Sequence, residues 1–138
     1  MKETSCGAII YRKRNAELEF LLIKSKGPSA FWGFPKGHME PHETEIQTAL
    51  REVFEETQLT VNLDPNFKVS ENYRLPNGNS KEVIYFLGTA LEDVVSIQTD
   101  ELSDYEWRSY KAARSLLTFT EKKEILDMAY QILQTNKL

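Results

Sequence analysis

The chain has 138 residues, of which 41% are hydrophobic and 28% are charged. These values predict one globular domain over residues 1–138 and exclude a disordered or fibrous protein. The net charge of −4 gives no overall attraction for nucleic acid or anionic membranes, so neither is expected as a partner. No apolar run is long enough to span a membrane. The lone cysteine, Cys6, has no intramolecular disulfide partner, and a cytoplasmic setting fits best.

The first predicted elements are two strands and a long loop. Residues 6–11 form a short apolar segment, a polar turn follows, and residues 19–25 have the continuous apolar centre typical of a strand covered on both faces. Residues 26–43 are rich in glycine, proline and aromatic residues, which predicts a structured loop. Loops of this length are more often functional than idle.

A helix is predicted to begin near Thr44, because Thr44 and Gln47 have the spacing of a capping box. Apolar residues at helical spacing predict its buried stripe. This stripe consists of Ile46, Ala49, Leu50 and Val53.

The second half of the chain predicts a hairpin, a strand and another helix. Residues 67–75 and 81–91 flank the turn sequence PNGNS, the strongest hairpin signal in the chain. Residues 104–110 are a further strand candidate, and Thr118 and Glu121 have the spacing of a second capping box. The apolar face of the following helix comprises Ile125, Leu126, Ala129, Ile132 and Leu133. A mixed sheet between helices is the natural architecture for these elements.

The sequence REVFEE, residues 51–56, places three glutamates within little more than one helical turn. Like charges at this spacing cost a helix about 0.2–0.5 kcal/mol per pair. At 100° per residue, Glu52 and Glu56 lie nearly in line, with Glu55 beside them and Glu45 near the same line. The cluster is therefore either a solvated acidic face or a site for Mg²⁺ or Mn²⁺, hard cations that prefer oxygen ligands.

Residues 37–59 resemble the Nudix box, whose family pattern is G-x5-E-x7-R-E-U-x-E-E-x-G-U, with U a bulky aliphatic residue. The matching positions are Gly37, Glu43, Arg51, Glu52, Val53, Glu55, Glu56 and Leu59. One position departs, because Gln58 stands where the family has its second glycine. That position follows the helix end, where a left-handed backbone is common and costs other residues about 1 kcal/mol.

The resemblance implies an α/β protein with the Nudix fold, an α/β/α sandwich with a mixed β-sheet. It also implies hydrolysis of a nucleoside diphosphate linked to another group, with Mg²⁺ or Mn²⁺ lowering the pKa of an attacking water. By the family pattern, Glu52, Glu55 and Glu56 hold the metal, with the Gly37 carbonyl as a further ligand. Glu43 is implied to orient Arg51; the alternative is an ordinary surface ion pair.

Three further segments, residues 31–41, 81–91 and 100–107, resemble the asymmetric diadenosine tetraphosphate hydrolases. The resemblance implies that Lys36, His38 and Lys81 contact phosphates. It implies that Tyr85 stacks on an adenine with Phe119 on the opposite face. It also makes Glu101 an additional metal ligand or the base that takes the proton of the water.

Four of these residues have a plainer alternative. Tyr85 could belong to the core, Phe119 to the core or a helix staple, and Lys81 to a solvated strand end. His38 could be a structural hydrogen-bonding residue. The expected partner is a small nucleotide and the expected reaction is cleavage of diadenosine tetraphosphate to ATP and AMP. The alternatives are another Nudix pyrophosphohydrolase, acting on damaged nucleoside triphosphates or RNA 5′-triphosphate ends, or a nucleotide sensor without turnover.

Overall fold

The structure is a computed structural model that describes residues 1–92 and 94–135. This part of the chain contains seven strands and three helices. In chain order they are β1 (Lys2–Arg14), β2 (Glu17–Ser25), β3 (Trp32–Gly33), β4 (Lys36–His38), α1 (Glu45–Thr57), β5 (Val61–Arg74), β6 (Ser80–Ala90), β7 (Leu102–Ser109), α2 (Tyr110–Leu116) and α3 (Thr120–Thr135).

All the strands join one mixed sheet, whose main order is β3-β2-β1-β6-β5, with β4 paired to β1 and β7 paired to β2. The β1–β6 pair is parallel, and the other pairs are antiparallel. β2 pairs with the C-terminal part of β1, whereas β4 pairs with its N-terminal part. A Cβ atom on Gly7 would lie 2.0 Å from the Pro35 carbonyl oxygen, so glycine at this position lets β4 approach β1.

Helices cover both faces of the sheet. On one face, Ala8, Ile10 and Leu21 pack with Val53 of α1. On the other face, Ile9, Phe20 and Leu22 pack with α2 and α3. Neighbouring strand residues point to opposite faces of a sheet, so β1 and β2 contribute to both cores. The predicted α/β/α sandwich is confirmed.

The predicted start of α1 is confirmed, but its predicted buried stripe is wrong in part. Thr44 and Gln47 form both hydrogen bonds of a capping box. Ala49 and Val53 are fully buried, whereas Ile46 and Leu50 are 37% and 38% exposed. Thr48, Glu56 and Thr57 are buried instead. The helix is turned so that part of its polar side faces the sheet, which hydropathy alone does not indicate.

The hairpin is confirmed, with β5 and β6 joined through residues 75–79. The strand predicted at residues 104–110 is present as β7 and ends at Ser109, whose side chain caps the short helix α2, which was not predicted. The second capping box is wrong: α3 begins at Thr120, and the hydroxyl of Thr118 accepts a hydrogen bond from the Trp32 N–H at 2.9 Å. Among the described residues, no helix combines the length and apolar character needed to cross a membrane.

Candidate active site

The glycine of β4 lies directly against the glutamate side of α1. A Cβ atom on Gly37 would lie 2.0 Å from the Cδ and Oε1 atoms of Glu52. The backbone of β4 is fixed in turn by its pairing with β1, where Gly37 faces Cys6. Residue 37 must therefore lack a side chain if the Glu52 carboxylate is to occupy this place.

Arg51 links the loop before α1 to the glutamates on the helix. Its Nε and Nη2 atoms donate to the two carboxylate oxygens of Glu43 at 2.7 and 3.0 Å. Its Nη1 donates to Glu52 at 2.7 Å and to Glu55 at 3.1 Å, and its Nη2 also donates to the His38 carbonyl at 2.8 Å. The bidentate contact with Arg51 lowers the pKa of Glu43 to about 2. The predicted contact between Glu43 and Arg51 is present.

Glu56 is the most buried carboxylate of the cluster, at 9% exposure. Its Oε1 accepts a hydrogen bond from the Lys36 backbone N–H at 3.0 Å. Burial raises the pKa of Glu56 to about 8, and the charges of Glu52 and Glu101 add to the effect. Burial also raises the pKa of Glu52, partly offset by Arg51. A bound cation would therefore stabilise these desolvated carboxylates, which repel one another.

These carboxylates line a cavity of about 240 Å³. Its lining residues are Lys36, Gly37, His38, Glu52, Glu55, Glu56, Gln98 and Glu101. All the predicted metal ligands thus line one cavity. Gln98 was not predicted; its N–H donates to the Glu56 carbonyl at 3.1 Å, and its Oε1 accepts from the Glu101 N–H at 2.9 Å. No periodic or motif signal marks this glutamine in the sequence.

The lining of this cavity fits a hard divalent cation, because four of its eight residues are glutamates, which supply oxygen ligands. Among the described residues, no three acidic, histidine or cysteine side chains converge closely enough to enclose an ion by themselves. Magnesium usually keeps several waters and takes phosphate oxygens beside one or two carboxylates. An open cavity that supplies only some of the ligands is therefore compatible with it.

A second cavity of about 270 Å³ shares Lys36, Gly37, His38, Glu56 and Glu101 with the first and adds Lys81. Lys81 is only 7% exposed. Burial lowers the pKa of both Lys36 and Lys81, and the charge of Lys36 adds to the effect on Lys81. Two desolvated ammonium groups favour an anionic ligand. The three predicted phosphate contacts, at positions 36, 38 and 81, therefore line one cavity.

The comparison with known families agrees with this geometry. The model of the NUDIX domain matches residues 1–128. The chain belongs to the Nudix hydrolase family. The bis(5′-nucleosyl)-tetraphosphatase [asymmetrical] of Sus scrofa is 35% identical, over 94% of this chain and 94% of the relative. The protein of the same name from Caenorhabditis elegans is 31% identical, over 88% of this chain and 90% of the relative.

Solved structures give the same result. The C. elegans Ap4A hydrolase in a binary complex superposes with a TM-score of 0.88 at 28% identity, and the match covers 96% of this chain and 98% of that one. The NUDIX domain of Shewanella oneidensis NrtR, complexed with ADP ribose, has a TM-score of 0.80 at 20% identity, which shows the shared fold alone. Nudix hydrolases generally need a divalent metal ion, in keeping with the carboxylate cavity.

The helix of the Nudix box, α1, ends just before Gln58, which stands in place of the second family glycine. Gln58 follows α1 with φ 63° and ψ 16°, a left-handed conformation, and its N–H donates to the Phe54 carbonyl at 2.8 Å. The left-handed backbone that is common at this position is therefore present with glutamine in place of glycine. Gln58 does not line the carboxylate cavity.

Tyr85 does not take the place that the resemblance to the Nudix subfamily implied. Its side chain is fully buried, and its ring packs edge-on against Phe34 at 5.5 Å between centroids. Because a ring without an exposed face cannot stack on an adenine, this prediction is wrong and the core alternative holds. The parallel pairing of β6 with β1 places Tyr85 opposite Gly7, in the middle of the sheet.

An aromatic groove of about 530 Å³ lies beside the lysine cavity of this Nudix domain. It is lined by Phe31, Lys36, Glu71, Asn72, Tyr73, Phe119, Glu121 and Lys122. Phe119 is 44% exposed, so the alternative that places it in the core is wrong. Tyr73, 46% exposed, was missed. The sequence SENYRL around it is mostly polar, which was the available signal for an exposed segment of the chain.

Proposed function

We propose that this chain hydrolyses diadenosine tetraphosphate asymmetrically to ATP and AMP, with Mg²⁺ or Mn²⁺ as cofactor. One observation carries the proposal. Lys36 lines the carboxylate cavity, the lysine cavity and the aromatic groove, so all three open around one side chain. A ligand that fills them needs a base, a chain of phosphates and a bond to be cleaved beside the metal site. The relatives named above carry the matching activity in their names.

The carboxylate cavity supplies the reaction centre. Glu52, Glu55, Glu56 and Glu101, with the Gly37 carbonyl, would hold the metal. Bound metal neutralises phosphate charge and lowers the pKa of a water that attacks phosphorus. Glu101 is exposed at the rim of the cavity and takes part either as a ligand or as the base that accepts the proton of the water. Arg51, held by Glu43, keeps Glu52 and Glu55 on the side of α1 that faces β4.

The lysine cavity and the groove supply binding. Lys36, Lys81 and His38 contact phosphate oxygens. The exposed rings of Tyr73 and Phe119 take one adenine by stacking, which is worth about 1–3 kcal/mol per base and tolerates base identity. The register of the β5–β6 hairpin supports a stacked base beside lysine-bound phosphates, because Tyr73 pairs directly with Lys81.

The setting of the protein is part of the same proposal. The substrate is a small nucleotide, because the net charge of −4 offers nucleic acid no general attraction. The buried, free thiol of Cys6 suits a reducing, cytoplasmic compartment. Residues 1–138 act as one domain.

A nucleotide panel in H₂¹⁸O tests the proposal. The protein is incubated with magnesium or manganese and with diadenosine tetraphosphate, nucleoside triphosphates or RNA carrying a 5′-triphosphate, and products are identified by mass spectrometry. We expect ATP and AMP from the dinucleotide, with one ¹⁸O atom in one of the two products. The Glu56→Gln variant, which keeps an acceptor for the Lys36 N–H, should lose at least 100-fold in kcat. If triphosphates or RNA ends are cleaved faster than diadenosine tetraphosphate, the proposed substrate is wrong.

A further inference from the structure

Phe31 separates two cavities of the candidate site. It lines both the aromatic groove and the lysine cavity. Within the groove its ring packs against Phe119, with 5.3 Å between the centroids and 57° between the planes. One phenyl ring is thus available to both spaces.

The backbone around Phe31 is held by hydrogen bonds from two directions. The Phe31 N–H donates to the Ser25 hydroxyl at 2.9 Å, and the Ser25 N–H donates to the Phe31 carbonyl at 3.0 Å. The next residue, Trp32, donates its N–H to the Thr118 hydroxyl at 2.9 Å, beside Phe119. These contacts fix the wall between the cavities before any ligand binds, which lowers the entropic cost of binding.

The lysine cavity has an apolar part that includes Phe31. Ile23, Phe34 and Leu102 line it and are nearly fully buried. Gly33 leaves room there, because a Cβ atom on Gly33 would meet only the Phe31 ring, at 3.7 Å or more. The same cavity contains Lys36 and Lys81, so an apolar group in this part would lie next to the phosphate-binding lysines.

We infer that this apolar part, lined by Ile23, Phe31, Gly33 and Leu102, is a subsite for the second nucleoside of a dinucleoside polyphosphate. The inference rests on the proposed function and deepens it. One adenine lies in the groove, the phosphates run past Lys36, and the second base lies against the other side of Phe31. Phe31 then determines the preference for substrates with two bases over substrates with one.

Two substrates that share one adenosine and four phosphates test this subsite; they differ in the second nucleoside and in the charge that its removal leaves on the terminal phosphate. Adenosine 5′-tetraphosphate carries the same phosphates as diadenosine tetraphosphate and one adenosine. We expect Phe31→Ala to lower the ratio of kcat/KM for the dinucleotide over the mononucleotide by about tenfold, the loss of one modest stacking contact. Phe119→Ala is the matched control, since it should lower kcat/KM for both substrates by a similar factor and leave the ratio unchanged.

A second variant fills the space instead of emptying it. Gly33→Val adds a branched side chain that a strand tolerates, and it should lower the same ratio because the added methyl groups would occupy space beside the Phe31 ring. An unchanged ratio in both Phe31→Ala and Gly33→Val would overturn the subsite. If the wild-type protein cleaves neither nucleotide, the proposed function fails. Calorimetric dissociation constants of the two nucleotides then give the same ratio and decide the subsite without turnover.

Discussion

Because Gly37 has no side chain, the Glu52 carboxylate can lie directly against the β4 backbone. Glu52 is fixed by Arg51 on one side at 2.7 Å and by contact with the β4 backbone on the other. A Cβ atom at position 37 would overlap the carboxylate, and the pairing of β4 with β1 prevents the backbone from moving away. Any side chain at position 37 would therefore displace Glu52.

We predict that Gly37→Ala lowers kcat by about 100-fold, because displacement of a catalytic group by about 1 Å costs this much. The melting temperature should change little, since the atoms that the added Cβ would meet belong to the flexible end of the Glu52 side chain. Steady-state kinetics and thermal melting measure both effects. Unchanged kcat in a folded variant would show that Glu52 does not act from its observed position.

Glu43 is the carboxylate that ties the loop to α1. Besides Arg51, its Oε1 accepts from the Glu40 N–H at 2.9 Å and from the Thr48 hydroxyl at 2.9 Å. The bonds to Arg51 contribute most to lowering its pKa from 4.5 to about 2. The folded state therefore binds fewer protons than the unfolded state between these pH values.

This shift predicts a defined pH dependence of stability. The contribution of Glu43 is fully present above pH 4.5 and is lost as the pH falls from about 4.5 to about 2. Urea denaturation of the metal-free protein from pH 7 to pH 3 should show a smaller decline for Glu43→Gln than for the wild type. Glu124→Gln, at an exposed position of α3, serves as the control and should follow the wild-type curve. Parallel curves for the wild type and Glu43→Gln would contradict the assignment.

At the scale of elements, α1 begins with a good cap and ends with a strained one. The capping box at Thr44 satisfies the first turn, whereas Gln58 adopts a left-handed backbone with φ 63°. An L-residue pays about 1–2 kcal/mol for this conformation, while glycine adopts it freely but loses more entropy on folding. The side-chain bond from Gln58 Nε2 to the Phe54 carbonyl, at 3.3 Å, offsets little of the cost.

We predict that Gln58→Gly raises the free energy of unfolding by about 0.5–1 kcal/mol, the relief of strain less the entropy of glycine. Gln58→Ala is the matched control, because it removes the same side-chain bond and keeps the strain. It should be neutral or slightly destabilising. Urea denaturation at neutral pH measures the difference between the two variants. Equal stabilities would mean that the turn at Gln58 is not strained in solution.

The elements show why some features were readable from the sequence and others were not. The cap of α1 and the contact of Glu43 with Arg51 depend on short spacings along one helix and its preceding loop. The burial of Tyr85 depends on the position of β6 within the sheet, and that follows from its pairing with β1, which is distant in sequence. The helix α2 has only seven residues, too few for a periodic pattern.

For the whole molecule, Cys6 lies where the layers meet. It is fully buried in β1, next to β6 and β4, and packs with Ala49 of α1. Burial raises the pKa of its thiol to about 11, so the folded protein presents almost no reactive thiolate. A reagent can reach this sulfur only when the sheet opens, and labelling of Cys6 therefore reports opening of the central sheet.

We predict that ligand binding slows this labelling by a factor set by the ratio of ligand concentration to dissociation constant. A ligand that binds only the folded state at 100 times its dissociation constant reduces the open population about 100-fold. Magnesium with ATP, a product of the proposed reaction, should slow the reaction of Cys6 with a thiol reagent by this factor when opening and closing are fast. The Lys13→Cys variant, with an exposed second thiol, is the control: that thiol should react at the same rate with and without ligand. Equal labelling of Cys6 in both conditions would mean that the nucleotide does not prefer the folded state, and the carboxylate and lysine cavities would then lack the ligand for which their buried charges are arranged.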